Sequence, residues 1–154
     1  MARCLNYDLF VSYSVENEAE VSDLCGKLES KGFKLLFDTN ETRDLNRIKK
    51  IAIDNSLLFM CCVSNEYCDS SIALKEFNYA IETEKEVLYV LFDKLNQTKE
   101  IIKKIKKIAS NFALQRYYKQ IQLHDKLHCN YIDIDSIAKM IRYYKKVQIL
   151  LGTK

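Results

Sequence analysis

Short apolar runs that each end in a polar residue, separated by stretches of helical periodicity, leave this chain few folds to adopt. The runs are YDLFVS at 7–12, FKLLF at 33–37, LLFMCCV at 57–63 and VLYVLF at 87–92, all rich in the branched and aromatic residues that suit a buried strand. Between the first two, residues 16–31 place Val21, Leu24, Cys25 and Leu28 at i, i+3, i+4 and i+7, the signature of an amphipathic helix. Gly32 follows, where a left-handed cap is cheapest for glycine. Residues 45–55 carry Ile48, Ile51 and Ala52 at helical spacing, and residues 71–84 carry Ala73, Phe77, Ala80 and Ile81. Residues 39–44 and 65–70 read as polar loops.

Past residue 95 the pattern predicts a basic helix over 99–108, with Ile101, Ile102, Ile105 and Ile108 inward and lysines outward. A fifth strand falls at either 120–123 or 130–134, and Asp135 is a candidate cap for a last helix over 136–150. Alternation of this kind predicts an α/β fold, a parallel sheet covered by helices on both faces with right-handed crossovers. Ligands of such sheets bind outside the carboxyl ends of the strands, where the strand order switches. Ser12, Ser14, Asp38, Ser64 and Asp93 stand at those ends, although polar residues also stand there simply because chains turn there.

Composition narrows the function. A chain of 154 residues with 48% hydrophobic residues is expected to form one domain, 1–154, large enough to fold without disulfides or metals. The formal charge of +3 implies no polyanion partner, and the lysines of 99–107 lack the interleaved exposed aromatics of a nucleic-acid surface, so no nucleic-acid role is expected. The longest apolar run, 57–63, is far below the ~18 residues of a membrane span. The start, MARCLNYDLF, has no secretory pattern, so the cytoplasm is the expected location. Cys4, Cys25, Cys61, Cys62, Cys68 and Cys129 form no CxxC pair and read as buried or incidental thiols.

Most catalytic signatures are missing. There is no GxGxxG, no phosphate loop, no GxSxG elbow, and only 3 glycines in all. His124 and His128 lie four apart beside Cys129, but no third ligand is apparent and no metal is expected. Cys68 has no histidine partner for nucleophilic catalysis. Glu76 stands out, because it lies in the first turns of the helix after the third strand, on the strand-end side of the sheet and at the border of the buried face. An acidic residue is also ordinary near a helix N-terminus.

Three stretches carry a resemblance to the Toll/interleukin-1 receptor (TIR) domain family. YDLFVSYS at 7–14 is similar to D-[VL]-F-[IV]-S-Y, and LESKGFKLLFD at 28–38 to L-E-x-x-G-[FY]-x-[VL]-x-x-D. Residues 51–81 are similar to I-x-x-[AS]-I-x-x-S, a strand, S-x-x-[YF] and S-x-W-C-x-x-E-[LF], with Ile72 and Ala73 in place of the tryptophan and cysteine. The match covers residues 7–93, and beyond them it is topological only.

The resemblance implies a flavodoxin-like three-layer α/β/α domain with a five-stranded parallel sheet, one that self-associates with other TIR domains, often through the loop after the second strand. Some members are scaffolds of innate-immune signal transduction. Others cleave NAD⁺ to nicotinamide and ADP-ribose or a cyclic product, and in these the catalytic glutamate of W-C-x-x-E falls on Glu76. Substrate contacts are implied at Tyr13, Ser14 and Val15 and, in the loop after the second strand, at Asp38 and Arg43. NAD⁺ is then substrate, with no cofactor. The chemistry is self-consistent: a pyridinium departs neutral, so one carboxylate that stabilises an oxocarbenium ion suffices without a general acid. The expectation is an NAD⁺ nucleosidase activated by self-association, and its alternative a non-catalytic domain working through TIR–TIR contacts around residues 39–46.

Overall fold

The structure, a computed structural model, describes residues 7–37, 45–92, 97–113, 128–130 and 133–150. In chain order these form β1 (Tyr7–Ser12), a 3-10 turn (Val15–Asn17), α1 (Glu18–Ser30), β2 (Leu35–Leu36), α2 (Arg47–Asp54), β3 (Ser56–Val63) and α3 (Asn65–Cys68). They continue with α4 (Ser71–Glu82), β4 (Val87–Leu91), α5 (Thr98–Ala113), β5 (His128–Asn130) and α6 (Ile134–Leu150).

The strands make one five-stranded sheet in the order β2-β1-β3-β4-β5, and every pairing is parallel. This is a doubly wound order, with the switch point between β1 and β3. In register, Leu9 faces Leu35 on one side and Leu58 on the other, and Ser12 lies beside Cys61.

The period of two along each strand divides the core. Leu9 and Val11, then Leu58, Met60 and Cys62, then Leu88 and Val90 point to one face, where Val21, Leu24, Cys25 and Leu28 of α1 and Ile137, Ala138 and Ile141 of α6 cover them. Phe10, then Phe59, Cys61 and Val63, then Val87, Tyr89 and Leu91 point to the other. Ile53 of α2, Phe77 and Ala80 of α4, and Ile101 and Ile105 of α5 close that side. β3 is buried along its whole length, as a central strand covered on both faces must be.

Local chemistry explains most boundaries. Gly32 ends α1 with φ +95°, in the left-handed region, as its position predicts. Asn46, Ser64 and Ser70 cap α2, α3 and α4 by accepting from the backbone N–H of Lys49, Tyr67 and Ala73.

Several expectations are corrected. The second strand pairs over Leu35–Leu36 only, and residues 65–68 of the expected loop form a helical turn. α6 is capped by Asp133 and not Asp135: the Asp133 carboxylate accepts from the Ser136 backbone N–H at 3.1 Å and the Ser136 hydroxyl at 2.7 Å, which holds its pKa below the ordinary value. β5 at His128–Asn130 meets the candidate 130–134 only at its first residue, and 120–123 lies outside the described residues. α2 turns a different face inward from the one its isoleucines suggest. Ile48 is 76% and Ile51 49% exposed, while Lys49 and Ile53 are buried.

Candidate functional site

At the carboxyl ends of β1 and β3, α4 begins under its Ser70 cap and carries Glu76 one turn further in. Ala73, Phe77 and Ala80 pack onto the sheet, and the same face takes Glu76 with them to 6% exposure. A carboxylate so buried needs partners, and it has them. Ser12, the last residue of β1, donates its hydroxyl to Glu76 Oε1 at 2.8 Å. Lys49, from the first turn of α2, places Nζ 2.7 Å from Oε2, and both side chains of this ion pair are buried.

Behind Ser12 the network continues into the core. Tyr67 Oη lies 2.8 Å from Ser12 Oγ, and because Ser12 gives its proton to Glu76, Tyr67 supplies the proton of this contact. The Cys61 thiol is buried in the same core cluster as Tyr67. Burial pushes both Tyr67 and Cys61 well above their ordinary pKa values, so both remain protonated at neutral pH. Two donors thus converge on one carboxylate, which favours its ionised form.

In front of Glu76 a cavity of about 140 Å³ is lined by Phe10, Val11, Tyr13, Leu36, Ile48, Lys49, Ala52, Ile72 and Glu76. Tyr13 forms one wall and packs on Phe37, ring centroids 4.9 Å apart. Ile72, at the position of the TIR tryptophan, forms another. Apart from the Lys49–Glu76 ion pair and the phenol of Tyr13 the lining side chains are apolar, a surrounding that strengthens electrostatic interactions.

Glu76 and Tyr13, both expected from sequence, therefore meet in one pocket. Ser14 and Val15 are not among its lining residues: Ser14 caps the 3-10 turn by accepting from Glu16 N–H, and Val15 is 56% exposed. Asp38 and Arg43 lie outside the described residues. Lys49, Ser12 and Tyr67 are the additions that folding brings. Ser12 was visible only as a strand-end polar residue, whereas Lys49 and Tyr67 carry no local signal because their partners are 27 and 55 residues away.

Among the described residues no group of three or more His, Cys, Asp or Glu could hold a metal ion. His128 and Cys129 fall in β5, so no helical face joins them, and His124 lies outside the described residues. No helix among the described residues is long and apolar enough to cross a membrane.

A family model for the TIR domain matches residues 9–125. The chain belongs to the TIR-domain family. Solved structures agree on the fold: the TIR domain of the Toll-related receptor TRR-2 from Hydra magnipapillata is similar at 18% identity and a TM-score of 0.57, over 89% of this chain and 99% of that one. The TIR domains of the activated Roq1 resistosome, which directly recognises the pathogen effector XopQ, are similar at 21% identity and a TM-score of 0.54, over 92% and 98% of the two chains. No curated protein matches the chain.

Proposed function

We propose that this TIR domain is an NAD⁺ nucleosidase that works when self-associated, with Glu76 as its catalytic residue. The observation that carries the reading is a buried, doubly hydrogen-bonded carboxylate at the base of an apolar pocket at the switch point of the sheet. Its work is to hold the ribose hydroxyls beside the scissile bond and to face the positive charge that develops on the anomeric carbon as nicotinamide leaves. Nicotinamide departs neutral, so the reaction needs no general acid. Water, or a nucleophilic position on the adenine, then captures the sugar cation to give linear or cyclic ADP-ribose. Tyr13 and Ile72 supply apolar walls for the ring, and Asp38 and Arg43 are proposed contributors from the neighbouring segment. Ser14 and Val15 are proposed to act through the substrate-bound, assembled form. A cytoplasmic place in immune-type signal transduction fits both the family and the Roq1 relative, whose TIR domains belong to an activated resistosome.

A second reading has its own support. Ile48 and Ile51 expose apolar surface on α2 beside the pocket, as a face that pairs with another TIR domain does. On that reading the chain is a non-catalytic signalling domain and Glu76 with Lys49 a structural ion pair. The two separate in an assay that follows NAD⁺ and its products under conditions in which light scattering shows self-association. The nucleosidase releases nicotinamide, and Glu76→Gln assembles without releasing it. The scaffold assembles and leaves NAD⁺ intact.

A further inference from the structure

Among the described residues lining the pocket, Lys49 is the one cation and Glu76 the one anion, and they stand 2.7 Å apart. A carboxylate neutralised in this way offers little to an incoming positive charge. We propose that Lys49 is a specificity-determining residue: a displaceable counter-ion that a cationic nicotinamide ring must replace, so that the pocket admits the oxidised, charged form of its ligand and rejects the neutral reduced form. The inference rests on the nucleosidase reading for its ligand class.

The geometry supports an exchange of cations. Lys49 lies in the first turn of α2 and lines the pocket beside Ile48, which is 76% exposed; the proposed exchange carries its ammonium, on a flexible stem, toward solvent at this edge of the pocket. Its departure alone would strand a buried carboxylate, which is strongly unfavourable. Departure coupled to the arrival of another positive charge is not. Oε1 stays anchored by Ser12 throughout, so the carboxylate keeps its orientation while Oε2 changes partner. The cavity volume of about 140 Å³ is close to the ~150 Å³ that accommodates a benzene ring, the scale of one nicotinamide and not of a dinucleotide. A neutral dihydronicotinamide has the right size and lacks the charge to complete the exchange.

Titration calorimetry with nicotinamide riboside, a cation, and its neutral reduced form tests this on the full chain, Lys49→Gln and Lys49→Arg. Glutamine keeps a donor for Oε2 and removes the competing charge. The expected result is a gain of about tenfold in affinity of Lys49→Gln for the cationic probe, none for the neutral probe, and no gain in Lys49→Arg. Equal gains for both probes, an unchanged or weakened affinity for the cation, or no binding of either probe overturns the proposal. A readout on the unmodified chain guards against a variant that fails to fold. The ¹⁵N signal of the Lys49 ammonium shifts to that of a solvated lysine as the cationic probe saturates, and its persistence in the paired state at saturation overturns the exchange. Nicotinamide release from NAD⁺ is followed in the same samples. Its absence from every assembled sample refutes the nucleosidase, while the binding data still decide the role of Lys49.

Discussion

On the side of the sheet covered by α1 and α6 the core is mainly aliphatic, with Leu9, Leu24, Leu28, Leu58, Met60 and Leu88 fully buried and Phe33 and Phe92 at its margin. On the side covered by α2, α4 and α5, the packed rings of Phe10, Phe59, Phe77 and Tyr89 share the face with buried Ser12, Lys49 and Glu76. The first face gains free energy from every side chain it removes from water. The second spends part of that gain on desolvating an ion pair, which returns little to stability even when well formed. The difference teaches where to look for function: a doubly wound sheet is stable with two apolar faces, so a charged pair held inside one of them at the strand ends is there for its chemistry or its specificity.

The comparison breaks most visibly when one charge is removed. Lys49→Met strands Glu76 and is expected to lower unfolding free energy by about 3–5 kcal/mol in denaturant titrations, whereas Lys49→Met combined with Glu76→Met restores most of the loss. If the double variant is no better than the single, the pair is not what makes this face costly. On the aliphatic face, Leu58→Ala is expected to cost about 2–5 kcal/mol through a cavity, with no change in affinity for nicotinamide riboside. A smaller effect sharpens the picture of the network. Tyr67→Phe keeps the ring against Phe77 but removes the proton given to Ser12, at a cost of about 1–3 kcal/mol by thermal or chemical denaturation.

The effect that vanishes at neutral pH is alkaline and belongs to the aliphatic face. Burial raises the Cys25 thiol from 9.0 to about 12. A raised folded-state pKa gives stability that is complete below the unfolded value and is lost as pH rises through the folded one, because the unfolded chain releases its proton first. Between these values Cys25 is expected to remove about 1.4 kcal/mol per pH unit, and Cys25→Ala to flatten that part of the stability profile. An identical alkaline slope in the variant would assign the loss to other groups.

Much of the fold was legible because strand burial and helical periodicity are local properties: β1, β3, β4, α1 and α4 lie close to where their apolar residues place them. The largest misplacement occurred where a long-range partner decided. α2 rotates to bury Lys49 because Glu76 waits for it across 27 residues of chain, so the apolar spacing of Ile48 and Ile51 misled. β2 pairs over two residues only, although FKLLF suits a longer strand. Asp133 takes the cap from Asp135 because α6 begins at Ile134. In the site, Glu76 could be placed from its position relative to the strand ends, and Tyr13 from the TIR resemblance. The hydroxyl chain through Ser12 and Tyr67 could not, since it exists only once α3 folds against β1.

The most direct test of the central claim is a single-turnover experiment, with protein in excess over NAD⁺ and concentrated enough to self-associate, in which nicotinamide release is timed for the unmodified chain and Glu76→Gln. Glutamine preserves an acceptor for Lys49 and removes the negative charge. The account expects release by the unmodified chain and a rate about 10²–10³ lower in the variant, with assembly unchanged. Equal rates, or no release by the assembled unmodified chain, would contradict it.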